Sequence, residues 1–563
     1  MELNATEISN GMWSCFLVDG ELAQVEQKIK SYRSNDEVIS FIRGVMDKHK
    51  WMKFIKLRGD PKSNARAIDC RKRGNEYFHP RIRQYIKAVE LYNESIALAA
   101  DNSEALAMAY ANRSAICFEL KEYADCLENI RLARENPYPA NLLPKLEQRE
   151  EACKVLMNKA NSEKPKTDQP LEPKLSYKSN PRIPHIAECL ELVQDEKFGR
   201  YLITNRDLKA GDVVALEKPF SKPCKGCTIA MFCSDECQQK AMEEYHRFEC
   251  PILQDIHRLV EHVLVPALRL TIKTLTTFNF DLEALRLLME SDGKNTPNAL
   301  DMDWTSIDPK ETYEIVYNLE SHRDKRSPDH LGQYAINAII MSEILLQRTK
   351  IRDNCKNSNA LRNITELLIM HHAMILPVNS FELSFEDYED KACKREVLME
   401  GIYTILSMIN HSCAPNSQPM NGSDDNLALY VLRPIKTGSP ITIKYCVKFA
   451  ITPLQERREY LSENYYFECQ CEACANDYPL LENLKVVLQK DMKHESMRYC
   501  KSNKHDPKSP VDMLKMCLHM INKFDQHTPC VELEELETEV AKYFSDVYWN
   551  NPRKLKYKSL CNI

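Results

Sequence analysis

Two short runs of cysteine constrain this chain more than any other feature. The first begins Pro223-Cys224-Lys225-Gly226-Cys227 and continues through Cys233, Cys237 and His246 to Cys250. The second is Phe467-Glu468-Cys469-Gln470-Cys471-Glu472-Ala473-Cys474. Thiolates and an imidazole in close pairs suit tetrahedral zinc, and a Cys-Lys-Gly-Cys turn presents both sulfurs to one ion. Cys224, Cys227, Cys233, Cys237, His246 and Cys250 are therefore ligand candidates. Cys469, Cys471 and Cys474 are one donor short of a tetrahedron, and Cys446 is a local candidate for the fourth. Disulfides are not expected. The N-terminal MELNATEISNGMWS lacks a basic stretch followed by an apolar one, and no apolar run is long enough to span a bilayer. The expectation is a reducing compartment, cytoplasmic and nuclear, in which the 22 cysteines are thiols or metal ligands.

A chain of 563 residues is too long for one core. A net charge of -6 gives no global field for phosphate, so tight non-specific nucleic-acid binding is not expected. The basic runs Lys48 to Lys56 and Arg71-Lys72-Arg73 read as solvated helix faces. Residues 1–63 show mixed helical periodicity with no legible chemistry. Residues 64–156 contain an internal echo, in which Gly74, Asn75, Tyr77, Tyr85, Ala88 and Tyr92 are followed by Tyr110, Ala111, Asn112, Leu120, Tyr123 and Ala124. Small residues alternating with aromatics at helical spacing suit two packed helices per unit. The marker asparagines lie somewhat further apart than a period of about 34 residues, and His79-Pro80-Arg81 supplies the break that accommodates the excess. Residues 157–186 have linker composition. Short strands are expected at Arg200–Ile203, Val213–Leu216, Leu427–Tyr430 and Ile441–Tyr445, with helices again beyond 479.

The heptapeptide Asn410-His411-Ser412-Cys413-Ala414-Pro415-Asn416 could be turn chemistry if it stood alone. It is followed by Ile441-Thr442-Ile443-Lys444-Tyr445, then by the Phe-x-Cys-x-Cys-x-x-Cys run, and preceded by the first cysteine cluster. In that order these blocks resemble the SMYD family, the protein-lysine methyltransferases with SET and MYND domains, in its subgroup bearing tetratricopeptide (TPR) repeats. The resemblance implies an α+β multidomain protein. It would comprise a TPR-like arm over 64–156, a β-rich SET domain over 187–446 and a post-SET zinc-binding segment over 447–478. A MYND-like zinc finger over 224–250 and an α-helical region over 479–563 complete the set.

The same resemblance implies S-adenosyl-L-methionine and zinc as cofactors and a protein lysine as substrate, histone or otherwise. Phe198, Gly199 and Arg200 match the N-terminal cofactor loop, although the family's second glycine is absent. Asn379, Asn410 and His411 match cofactor contacts, Phe467 matches the aromatic stacked on adenine, and Tyr445 matches the tyrosine beside the transferred methyl. Cys413 becomes the fourth ligand with Cys469, Cys471 and Cys474. Only the second half of a MYND finger is present, because Pro219-Phe220-Ser221-Lys222 runs directly into Pro223-Cys224. In the crossed arrangement of that finger Cys224, Cys227, His246 and Cys250 share one zinc, leaving Cys233 and Cys237 as a half-site. Gly438-Ser439-Pro440 stands where the family writes Gly-Glu-Glu, so the competing expectation is a catalytically weak scaffold or transcriptional co-regulator, binding partners such as a co-repressor through the finger. Arg71, Asn75, Asn112, Lys145 and Arg149 resemble the carboxylate clamp with which TPR proteins hold the C-terminal tail of heat-shock chaperones.

Overall fold

The computed structural model describes residues 3–18, 20–59, 61–163, 174–182, 186–195, 199–217, 227–230, 235–291, 299–387, 394–403, 405–421, 427–503 and 509–549. Three helices open the chain: α1 (Ala5–Val18), α2 (Leu22–Ser31) and α3 (Asn35–Lys48). The start of α3 is fixed by a capping box between Ser34 and Glu37, and Val38, Ile39, Ile42 and Met46 then bury one face. That face shares a single core with the helices Val265–Thr277, Pro328–Arg348 and Ser358–Asn379, which lie between the strands in sequence. Gly332 permits the close approach. A Cβ there would stand 2.7 Å from the Trp13 ring, a clash that only glycine avoids. Across the same junction Arg43 pairs with Glu343 at 3.2 Å and with Glu366.

The arm consists of α4 (Asn64–Phe78), α5 (Tyr85–Leu98), α6 (Glu104–Glu119), α7 (Tyr123–Arg134) and α8 (Leu143–Glu163). α4 ends at the expected break before His79-Pro80. Its Gly74 lies against the Tyr92 ring, where a Cβ would come within 2.5 Å, so the first pair of helices packs backbone against aromatic. Buried Arg113 joins three helices by donating to Asn93 at 2.8 Å and Asn129 at 2.7 Å.

The strands are short and paired over long sequence separations. β1 (Leu190–Asp195) and β2 (Gly199–Thr204) form an antiparallel hairpin. β3 (Val213–Glu217), β8 (Leu427–Val431) and β7 (Ser417–Asn421) make a three-stranded antiparallel sheet in the order β3-β8-β7. β4 (Phe381–Asp387) pairs with β5 (Lys394–Gly401), a hairpin the sequence reading did not anticipate. β6 (Asn410–His411) pairs in parallel with β9 (Thr442–Ile443). The strand expected over 441–445 is thus only two residues long. Beyond Ile443 the chain leaves the ladder, and the amide of Tyr445 bonds a side chain, the imidazole of His411.

The closing helices Pro510–Phe524 and Val531–Trp549 cover the three-stranded sheet, with Tyr430 stacked on Phe544 at 4.2 Å. Lys448, three residues past Tyr445, reaches Glu534 at 2.7 Å and Glu537 at 2.8 Å, so this layer also grips the segment leaving the site. Among the described residues no helix is long and apolar enough to cross a membrane.

Burial raises the Glu366 carboxyl from 4.5 to about 7, against the opposing pull of Arg43. A raised folded-state value means that its stabilising contribution is complete below 4.5 and is lost as pH rises through about 7, because the unfolded chain ionises first. Glu366→Gln should remove that slope. Between about pH 5 and about pH 8 the unfolding free energy of the variant, by denaturant titration, should gain on the parent by about 3 kcal/mol. A difference independent of pH would mean that Glu366 ionises normally.

Candidate active site and metal centres

The site is built around a parallel crossing of two short strands, here termed the knot. Asn410 and His411 lie alongside Thr442 and Ile443, and the amide of Ser412 continues the ladder to the Ile443 carbonyl at 2.9 Å. Asn416 pins the crossing: its Oδ1 accepts the Thr442 amide at 2.9 Å, and its Nδ2 donates to the Pro440 carbonyl at 2.8 Å. The Asn416 carbonyl accepts the amides of Leu432 and Arg433 at the end of β8. Gly438, at φ +78°, donates to Thr204, and Ile441 donates to Leu202, so the turn that carries Ser439-Pro440 is seated on β2.

Tyr445 emerges from this knot into an aromatic cluster. Its ring centroid lies 5.2 Å from His411 and 4.8 Å from Tyr465, and it meets Phe467 nearly edge-on at 6.5 Å. The hydroxyl donates to the Ile409 carbonyl at 2.9 Å, and burial pushes the phenol above its ordinary value. Tyr445 therefore stays protonated at neutral pH. Burial holds His411 down at about 4, so it is neutral there. Its Nδ1 accepts the Tyr445 amide at 3.1 Å, which places the ring proton on Nε2, 3.3 Å from Cys413 Sγ. One imidazole thus links the tyrosine strand to the cysteine centre.

In that centre the sulfurs of Cys413, Cys469, Cys471 and Cys474 all lie within 4.8 Å of one another. Cys413 Sγ stands 3.5 Å from Cys474 Sγ and 4.0 Å from Cys469 Sγ. A disulfide would need about 2.05 Å. A tetrahedron with Zn–S bonds of about 2.3 Å has edges of about 3.8 Å, which these separations straddle. Buried Arg457 lies 3.8 Å from Cys474 and offsets thiolate charge. Cys446 takes no part in the cluster. It is exposed, and its sulfur is 3.5 Å from the Tyr465 hydroxyl, which removes it as the local alternative for the fourth ligand.

A second set joins Cys227, His246 and Cys250, with His246 Nε2 at 3.7 Å from Cys227 Sγ. His246 ends a π-helical turn, Met242–His246, a local widening that recurs at functional sites. Its other nitrogen lies 3.0 Å from the fully buried carboxylate of Glu249, which Arg269 also grips at 2.9 Å. Burial alone would raise the Glu249 carboxyl, but Arg269 and His246 outweigh it and hold it below its ordinary value. An imidazole held by a carboxylate is how metal-binding histidines are oriented. The sequence reading missed Glu249, although its i+3 position after His246 was a usable signal. Cys224, Cys233 and the side chain of Cys237 lie outside the described residues, as does Phe198.

Of the remaining candidates, Gly199 and Arg200 open β2, and the Arg200 side chain is not described. Asn379 ends its helix with Nδ2 donating to Glu320 at 2.8 Å and Ile375 at 2.7 Å, while its carbonyl accepts from Ser407, three residues before Asn410. His411, Tyr445 and Phe467 form one ring cluster, and Asn379 is tied to the Asn410 segment through Ser407. On the arm, Asn112 Nδ2 donates to Asn75 Oδ1 at 2.6 Å, and Arg149 donates to the Ala111 carbonyl and the Ser114 hydroxyl. Arg71 is half-buried and Lys145 exposed.

A SET-domain family profile matches residues 199–446. The protein-lysine N-methyltransferase SMYD4 of Danio rerio is 24% identical over 513 residues, covering 74% of this chain and 66% of the relative. Its Homo sapiens namesake is 21% identical over 557 residues, covering 74% and 68%. The histone-lysine N-methyltransferase SMYD3 of Homo sapiens is 25% identical over 318 residues, covering 56% and 63%. This chain spans about two thirds of the length of the SMYD4 relatives. With the tyrosine and the four-cysteine centre in place, these matches show a SET domain in this chain and a similarity to the SMYD protein-lysine methyltransferases.

Proposed function

We propose that this chain transfers a methyl group from S-adenosyl-L-methionine to the side-chain amine of a lysine in a protein substrate. The observation that carries this reading is the Tyr445 hydroxyl, fixed by the Ile409 carbonyl inside an aromatic cluster where the knot brings Asn410 and His411 together. The residues fit the donor's chemistry: Phe467 offers an aromatic face for adenine, and Asn379, whose Nδ2 is committed to Glu320 and Ile375, offers its amide oxygen. When bound, S-adenosyl-L-methionine supplies an electrophilic methyl on a sulfonium.

Positioning is then the main contribution of the protein, since in-line displacement demands close approach and alignment. The oxygens of Tyr445 and Ile409 are suited to orient a polarised methyl through weak C–H···O contacts. Tyr445 is not the base that neutralises the lysine, because burial keeps its phenol protonated. Starting from a pKa near 10.4, deprotonating lysine at pH 7 costs about 4.6 kcal/mol, and a desolvated aromatic channel lowers that cost by disfavouring the ammonium. The scaffold reading rests on Ser439-Pro440 in place of acidic residues. The turn that carries them remains seated on β2 and Asn416 despite their loss, which favours the enzyme.

Two zinc ions complete the reading, one held by Cys413, Cys469, Cys471 and Cys474, the other by Cys227, His246 and Cys250 with Cys224. Purified protein should contain about two zincs per chain by elemental analysis, as closed four-ligand sites require. Three ions, or no loss of metal with Cys469→Ser, would overturn the assignment.

For catalysis, Tyr445→Phe should leave donor affinity close to the parent's by calorimetry while lowering turnover about a hundredfold or more, and Asn410→Ala should weaken donor binding itself. Parental turnover in Tyr445→Phe would remove the role given to that hydroxyl.

The arm is proposed to hold the acidic C-terminal peptide of a chaperone, because Asn75, Asn112 and Arg149 converge on α6 around Ala111. Arg149 also holds the fold, so Arg71→Ala with Lys145→Ala is the cleaner variant. A peptide ending in Glu-Glu-Val-Asp should bind by fluorescence polarisation, weaken with salt, and lose about tenfold on C-terminal amidation or in that variant. Equal affinity for the free and amidated peptides would leave the arm without a carboxylate clamp.

A further inference from the structure

Arg326 is a buried guanidinium, 7% exposed, and among the described residues it has no carboxylate partner. Its Nε donates to the Ser321 carbonyl at 2.9 Å and its Nη2 to the Met374 carbonyl at 2.6 Å. Nη1 donates to the hydroxyls of Tyr334 at 3.1 Å and Tyr466 at 3.0 Å, and the guanidinium also packs over both rings. Burying a charge without a counterion is costly even when its hydrogen bonds are satisfied. What Arg326 secures in return is the relation between its own neighbourhood, the Ser321 turn and the start of the Pro328–Arg348 helix, and two segments distant in sequence, the Ser358–Asn379 helix and the turn at Tyr466.

Two of those segments carry walls of the site. Met374 is five residues before Asn379 on one helix, and Tyr466 immediately precedes Phe467. Tyr466 sits at φ +61°, and His322, whose ring lies 5.3 Å away, sits at φ +49°. Left-handed backbone at two facing non-glycine residues is strained and persists only when surrounding contacts impose it. The imposing contacts converge here. Lys325 donates to the Tyr466 carbonyl at 2.8 Å, Arg326 holds the Tyr466 hydroxyl, and Asn379 holds the Glu320 carbonyl from the opposite side.

We infer that Arg326 is a positioning residue for the methyl-donor pocket, setting the distance between Asn379 and Phe467 by clamping Tyr466 against the end of the Ser358–Asn379 helix. It resembles no expected ligand and lies outside the motifs from which the site was read. The inference rests on the donor site proposed above, so its test includes a measurement made without donor.

Arg326→Met and Tyr466→Phe would be compared with Arg43→Met, which removes a half-buried arginine of the N-terminal helices. In donor-free protein, Arg326→Met should speed amide hydrogen exchange over residues 465–468 by about tenfold or more, with Arg43→Met leaving that segment unchanged. Donor affinity by calorimetry should fall about tenfold in Arg326→Met and about threefold in Tyr466→Phe, with turnover at saturating donor nearly parental. Unaltered exchange over 465–468 in Arg326→Met would overturn the inference, as would an equal loss of donor affinity in Arg43→Met at matched melting temperature. If Arg326→Met does not fold, Tyr466→Phe decides, since it deletes one hydroxyl; parental exchange in that variant would overturn the inference too. A parent that binds no donor would count against the proposed activity, whereas the exchange result judges Arg326 by itself.

Discussion

The contact on which the site depends is the approach of Cys413 to Cys469, Cys471 and Cys474. Cys413 belongs to the loop that β9 runs beside, and the other three belong to the segment that follows the knot. Holding four sulfurs 3.5 to 4.8 Å apart therefore closes the knot from outside. The closure propagates inward by one side chain. His411 faces Cys413 with one nitrogen and accepts the Tyr445 amide with the other, so the height of the tyrosine above the sheet is referred to the cysteine centre. It also propagates forward, because Phe467 stands two residues before Cys469 and cannot move independently of it. A metal in this centre would couple folding free energy, of order 10 kcal/mol in small zinc modules, to the geometry of the tyrosine pocket.

Outside the centre, three helical layers press on the same few residues. The N-terminal helices brace the Pro328–Arg348 and Ser358–Asn379 pair, and the second of these ends at Asn379. The closing helices grip Lys448 through Glu534 and Glu537, three residues beyond Tyr445. Burial raises the Glu537 carboxyl despite the neighbouring lysine, so this grip is made by two acids competing for one cation in a dry interface.

What the sequence made legible was local. The cysteine spacing pointed to three thiols of the centre and the family resemblance to Cys413 as the fourth, while the repeat of glycine, asparagine and tyrosine pointed to paired helices whose break falls at His79-Pro80 as expected. Long-range geometry was not legible. Nothing in Arg326 advertises that it will be buried against distant partners, because a charged residue on a helix or turn is ordinarily solvated. The short length of β9 was equally hidden: Ile441 to Tyr445 has strand character throughout, yet a side chain, His411, outcompetes the ladder for the Tyr445 amide. The N-terminal helices read as an isolated segment for the same reason, since periodicity shows which face is buried but not against what.

The resemblance implies two acidic residues where this chain has Ser439-Pro440, and that difference bears most directly on whether such a site can work. Proline has no amide to donate, yet Pro440 pairs with Ile203 of β2 in an antiparallel bridge that does not require one. The structure makes the hydrogen bonds on either side: Gly438 donates to Thr204, Ile441 donates to Leu202, and the Pro440 carbonyl is taken by Asn416. Glycine at φ +78° makes the turn possible and proline stiffens its exit, so the backbone reaches β9 in register without any carboxylate. What the acidic residues would have added is charge, and charge at that turn is separated from Tyr445 by the whole of β9. The difference therefore bears on local charge more than on the alignment of the hydroxyl, and alignment is the quantity on which the proposed methyl transfer would chiefly depend.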